Sequence, residues 1–161
     1  MANTQSMCTS FLGEVLTATH NFGASPIRAA ATADTFKAAL YFASATVNAA
    51  TTVYSTTGEV TNTSGTGYTA GGVTVTNGTA PLSTNTSATA GVAYWTPTAS
   101  FSWTALTVTT AFDAVLIYNS TQSNKAVSVH TFGSQTITAG TFTLTMPTNN
   151  TSAALLRLST T

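Results

Sequence analysis

Two histidines, one cysteine and four carboxylates are the side chains of this sequence best suited to move a proton, attack a carbonyl or grip a metal ion. Hydrolytic chemistry needs a nucleophile, a base and an orienting group that converge. His20 closes an apolar stretch, at a place where a cation suits a helix C-terminus, whereas His130 alternates with Val127 and Val129 as a residue of a sheet surface or interface. Glu14, Asp34, Glu59 and Asp113 stand at no spacing that would pair two carboxylates for acid and base work. Cys8, as the only cysteine, allows neither an internal disulfide nor a thiolate cage and reads as inert. The glycine-rich stretch GTGYTAGG at 65–72 lacks the lysine and the strand-to-helix setting of a phosphate loop. The sequence therefore assigns no catalytic, cofactor-binding or metal-binding residue, and the expected protein is not an enzyme.

Composition says what stands in place of chemistry. Charged residues make up 5% of the chain, against about 25–35% of the surface of an ordinary soluble domain. Threonine and serine replace them: 38 Thr and 16 Ser account for a third of the 161 residues. A small hydroxyl tolerates both water and a partner's backbone, so such a surface suits packing against other protein. Arg28, Lys37, Lys125 and Arg157 equal the carboxylates in number, leaving zero net charge and no basic stripe to neutralise phosphates. Nucleic acid is thus not an expected partner. Neither is a membrane, since no run of about 18 apolar residues occurs. Residues 1–10 carry no basic group and the apolar stretch after them is broken by Gly13 and Glu14, which argues against a secretory leader. Six N-x-[ST] sites, at Asn62, Asn77, Asn85, Asn119, Asn149 and Asn150, are expected by chance in so threonine-rich a chain.

The elements that must position these residues read as mostly β. Phe11, Leu12, Val15, Leu16 and Phe22 recur near the helical period and predict one short amphipathic helix at about 10–20. From Phe36, alternation of Phe36, Ala38, Leu40 and Phe42 against Lys37, Ala39 and Tyr41 predicts a strand with one core face. Phe101, Trp103, Leu106 and Val108 predict another, with Ala105 shifting the register as a bulge. Residues 114–118 (AVLIY) form a continuous apolar run that fits a strand buried on both faces, followed by a polar turn at 119–124. A strand at 126–132 comes next, then an Ala139-Gly140 turn, then Phe142, Leu144 and Met146 alternating with threonines, and 153–158 closes the sheet. Short strands with turn residues every 8 to 12 positions predict an all-β fold, an antiparallel β-sandwich or jelly roll.

At 161 residues the chain is expected to form one domain, 1–161, with an N-terminal segment at 1–35 and the sheets at 36–161. Within it, 61–91 is Thr, Ser, Gly and Asn with few large apolar groups, and reads as a long loop or arm that orders against a neighbouring subunit. Thr56-Thr57-Gly58-Glu59 has capping-box spacing but leads into no helical pattern, so it reads as a turn. Tyr94, Trp95, Phe101 and Trp103 lie close together, and exposed rings there would make a sugar-binding module. The simpler reading places Phe101 and Trp103 in the core and makes Tyr94 and Trp95 the anchor of a loop.

The succession SFLGEVLTATHNF, FKAALYFASATVNAATTVYSTTGEVTNTSGTGYTAGGVTV and FSWTALTVTTAFDAVLIYNSTQSNKAVSVHTFGSQTITAGTFTLTMP resembles a family of small structural proteins of tailed bacteriophages. Its matching parts are EV before GTGYTAGG, a W…T.T…A.IYN strand and a closing pair around FG…AGTFT, with 61–64 widening the gap before GTGYTAGG. The resemblance implies a virion protein, assembled in the host cytoplasm, with a β-sandwich or jelly-roll domain. It points to a capsid decoration (cement) protein that bridges neighbouring major capsid subunits and associates with copies of itself as a trimer. A neck, tail or fibre component is the alternative position in the virion, and a sugar-binding adsorption module is the alternative class.

Overall fold

The computed structural model describes residues 3–16, 18–22, 33–60, 67–84 and 91–159. Their order is β1 (Ser6–Met7), α1 (Thr9–Leu16), β2 (Phe36–Phe42), β3 (Val73–Thr74), β4 (Leu82–Ser83), β5 (Val92–Trp95), β6 (Phe101–Asn119), β7 (Lys125–Leu144) and β8 (Leu156–Ser159). These strands form two antiparallel sheets, one ordered β1-β7-β6-β2-β3 and a smaller one ordered β4-β5-β8. Arg28, Asn62 and Asn85, and the insertion at 61–64, lie outside the described residues.

The large sheet is built on one hairpin. Strands β6 and β7 are 19 and 20 residues long and pair from Phe101↔Leu144 to Asn119↔Lys125. The several short strands expected over 101–146 are therefore two long ones, and Ala139-Gly140 lies inside β7 rather than at a turn. The physical reason is that the turn-like residues are absorbed as bulges. Ala105 and Ala139 both adopt positive φ, 53° and 48°, and the β6–β7 register slips beside each of them. Only the expected polar turn survives as one: Ser123 and Asn124, at φ 54° and 59°, reverse the chain between the two strands.

Apolar runs fall where their length demands. Ala114, Val115, Leu116, Ile117 and Tyr118 are all buried, because β6 lies between β7 and β2 with both faces covered. The same holds for β2, where Ala39 and Tyr41 are as buried as Phe36, Ala38 and Leu40. One core face was expected there; the second is covered by the tyrosine cluster described below. Strand β8 pairs with β5 in the small sheet and does not close the large one. The two sheets meet through aromatic rings: Phe22 stacks on Phe36 at 4.3 Å and tilts against Trp95 of β5 at 4.8 Å. Trp95 donates its indole N–H to the Thr79 carbonyl at 3.1 Å, the loop anchor expected of it.

Part of the stretch expected to be a long loop or arm ordered against a neighbouring subunit packs on its own chain. Tyr68 and Val75 are buried, and β3 pairs with β2 through Lys37↔Thr74 and Ala38↔Val73. Gly72 permits this approach, with φ of 72° and with an added Cβ falling 1.8 Å from the Ala38 carbonyl oxygen. Gly72→Ala should therefore force β3 off β2 and lower unfolding stability by at least about 2 kcal/mol in urea titration, whereas an added methyl at exposed Gly133 meets nothing and should leave stability unchanged.

Candidate functional site

Two polar centres gather four of the seven residues best suited to chemistry, Glu59 in one and Glu14, His20 and Asp34 in the other. The first surrounds Glu59. Thr56 and Glu59 close a turn, with the Glu59 N–H donating to the Thr56 carbonyl at 3.2 Å, and Glu59 bridges back to Tyr41 of β2. This turn, expected from the sequence, delivers the carboxyl group under the sheet, where Glu59 is 3% exposed. Tyr68 and the Gly71 N–H both donate to Oε1 at 2.7 Å, and Tyr54 donates to Oε2 at 2.6 Å. Tyr68 accepts the Leu40 N–H at 3.0 Å, which leaves its own hydrogen for the carboxyl group. Tyr118 of β6 donates to the Gly71 carbonyl at 2.9 Å and stacks on Tyr54 at 4.4 Å. Tyr41 donates to the Ser55 carbonyl at 2.5 Å.

Burial, with the neighbouring Glu59 charge added, pushes the phenols of Tyr54, Tyr68 and Tyr118 up, Tyr118 to about 12. All three therefore remain donors over the physiological range, as the geometry needs. The centre holds polar groups in closed pairs and presents no unpaired oxygen of Glu59 to a substrate. It is a structural lock between the turn at 56–59, the GYTAGG stretch, β2 and β6.

The second centre lies where α1 meets the large sheet. The helix ends at Leu16, four residues before the predicted end, so His20 does not cap it. A Schellman closure ends it: Thr19 N–H donates to the Glu14 carbonyl at 2.9 Å and Ala18 N–H, at φ 53°, to the Val15 carbonyl at 3.1 Å. That reversal carries His20 back over the helix. Its Nε2 lies 2.8 Å from Glu14 Oε2, and its Nδ1 lies 3.0 Å from Asn119 Nδ2. Lys125 donates to Glu14 Oε1 at 2.5 Å. Asn119 continues the chain to Asp34 Oδ2 at 2.8 Å, and Asp34 also accepts from the Asn21 N–H and the Gln122 side chain. The His20 side chain is fully buried, with Phe11 at 5.0 Å and Phe22 and Phe36 beyond.

Cys8, His20 and Asn119 are the residue types of a thiol hydrolase, but the geometry denies that chemistry. Both ring nitrogens of His20 are engaged, and the Cys8 thiol points toward the Asn48 carbonyl at 4.0 Å. Burial, aided by the Glu14 charge, pushes that thiol up to about 11. His130 contacts Ser128 at 2.9 Å, and burial holds its ring down at about 4, so it is neutral at pH 7. Asp113 accepts from Asn3 at 2.5 Å, and Arg157 donates to the Thr151 carbonyl. Among the described residues no group of three His, Cys, Asp or Glu side chains could hold a metal ion.

Comparison with protein-family models, with curated proteins and with solved structures finds no match to this chain.

Sequence reasoning missed both convergences. The isolated carboxylates looked unpaired because their partners are tyrosines, amides, a lysine and a histidine, brought to them by chain reversals and by the ends of β6 and β7. One signal was available: Tyr68 and Gly71 fall in the glycine-rich stretch, directly after the turn that carries Glu59.

Beside the centre at His20, α1 and the small sheet flank an apolar groove of about 260 Å³ walled by Phe11, Val15, His20, Trp95, Leu156 and Leu158. Trp95 and Trp103 are both 3% exposed, so neither presents a ring face for stacking on a sugar.

Glu59→Leu strands the Tyr68 hydroxyl and the Gly71 N–H away from water and removes the acceptor of the Tyr54 hydroxyl. It should cost about 3 kcal/mol or more in urea unfolding, while Glu59→Gln, which keeps one acceptor oxygen, should cost about 1 kcal/mol. Equal, negligible losses for both variants would contradict the lock.

Proposed function

We propose that this chain is a structural protein of a tailed-bacteriophage virion, and within the virion a decoration protein that binds the major capsid lattice and bridges neighbouring capsomers. The observation that carries this reading is the division of labour among side chains. Glu14, Asp34, Glu59 and Lys125 are bound to groups within the chain, whereas the outward positions of the long hairpin hold hydroxyls. Ser102, Thr104, Thr109 and Thr110 on β6 are exposed, as are Thr136, Thr138, Thr141 and Thr143 on β7. Such a surface is neutral and rich in short donors and acceptors, and few side chains would lose rotamer freedom on contact. Protein–protein interfaces are likewise poor in charge at their centres.

The sequence resemblance supports the same reading. Glu59, Tyr68, Gly71 and Tyr118, all within the matching motifs, meet in one buried lock, so the resemblance rests on residues that make the fold. We read the two antiparallel sheets as a β-sandwich joined through Phe22, Phe36 and Trp95, and the functional unit as a trimer of this chain. Weak single contacts then add over a repeating lattice through avidity.

Purified particles run on a stained gel should carry this chain in near-stoichiometric ratio to the major capsid protein. A ratio of about a dozen or fewer copies per particle, the size of a closed ring, would place it in the neck or tail instead.

A further inference from the structure

We infer that His20 is a proton-controlled latch that holds the N-terminal segment, residues 9–22, on the large sheet. The amide of Asn119 has a fixed orientation. Its Oδ1 accepts the backbone N–H groups of Thr121 and Gln122, each at 3.1 Å, so the other end of the amide carries the hydrogens. Those two hydrogens go to Asp34 Oδ2 at 2.8 Å and to His20 Nδ1 at 3.0 Å. Turning the amide over would set its oxygen against the Asp34 carboxylate and its NH2 against two backbone donors. Nδ1 of His20 is therefore an acceptor, and the ring hydrogen sits on Nε2, donated to Glu14 at 2.8 Å.

A second proton has no place in this arrangement. On Nδ1 it would face the Asn119 NH2, donor against donor, inside a cage that excludes water. The groups facing the ring come from every element around it: Glu14 and Phe11 from α1, Lys125 from β7, Asp34 from the segment before β2, Phe36 from β2, Asn119 from β6, and Phe22. Glu14 and Asp34 favour the charged ring; burial and Lys125 oppose it. Burial is the largest influence and holds His20 below its ordinary value of 6.5. Stability from a depressed histidine is present above pH 6.5 and is lost as pH falls below that value toward the folded one. Glu14 follows in more acid solution: burial alone would raise it, but the bonds from Lys125 and His20 hold it low, so its contribution too is lost as pH falls. Acid thus frees the helix and the His20 wall of the apolar groove together. This inference does not depend on where, or whether, the chain sits in a virion.

Amide hydrogen exchange of the full chain, read by mass spectrometry from pH 7.5 to 5.0 and corrected for intrinsic rates, tests it. Peptides covering residues 9–22 should open more readily below pH 6.5, by up to tenfold per pH unit, while peptides covering 114–118 stay protected. His20→Gln should remove that dependence, and His130→Gln should keep it. A flat wild-type profile, or an unchanged rise in His20→Gln, would overturn the latch. Should His20→Gln fail to fold, nitrogen-15 spectra of the wild-type histidine rings decide: an Nε2–H tautomer for His20 at pH 7.5 is expected, and an Nδ1–H tautomer would overturn it.

Discussion

Removing a carboxyl group from water costs several kcal/mol unless each of its oxygens finds a donor. Glu59 meets that condition with two phenols and one backbone N–H, drawn from two separate stretches of chain, Tyr54 from one and Tyr68 with Gly71 from the other. Much of the architecture follows from it. Tyr68 and Gly71 cannot reach the carboxyl group unless the glycine-rich stretch turns under the sheet. That turn starts β3 against β2, and Tyr118 then ties the same stretch to β6. Residues 67–75, part of a stretch with few large apolar groups, are held in place by one buried acid and the tyrosines around it.

The second polar centre follows the same rule with different groups. Glu14, His20, Asn119 and Asp34 form a continuous line from α1 to the turn between β6 and β7, and Lys125 closes it. In a chain that is only 5% charged, two such centres use four of the eight charged side chains, Glu14, Asp34, Glu59 and Lys125. The scarcity of charge is thus concentrated at the surface. What faces outward along the hairpin is threonine and serine, which suits close contact with protein and gives salt little to screen.

The sequence makes parts of this fold plain. The apolar run 114–118, a strand from Phe36 and the bulge at Ala105 are visible in the residues themselves, although the alternation from Phe36 conceals that β2 is buried on both faces. The short helix is legible in Phe11 and Val15, though Phe22, which continues the spacing, lies beyond the reversal at Ala18. What misled was Ala139-Gly140, since a bulge and a turn use the same residues and only the partner strand distinguishes them. The polar centres were illegible for a related reason. The hydrogen bond between His20 and Asn119 joins residues 99 apart in the chain, and that between Glu59 and Tyr68 depends on a turn of the glycine-rich stretch that no regular spacing encodes.

The claim that these centres hold the fold together is tested most directly by a double-mutant cycle on Glu59 and Tyr68, with Glu59→Gln, Tyr68→Phe and the double variant unfolded in urea. A shared buried hydrogen bond predicts a coupling energy of about 1 kcal/mol or more between the two sites. Strict additivity, with a coupling of about zero, would mean that Glu59 and Tyr68 act independently and would contradict the account.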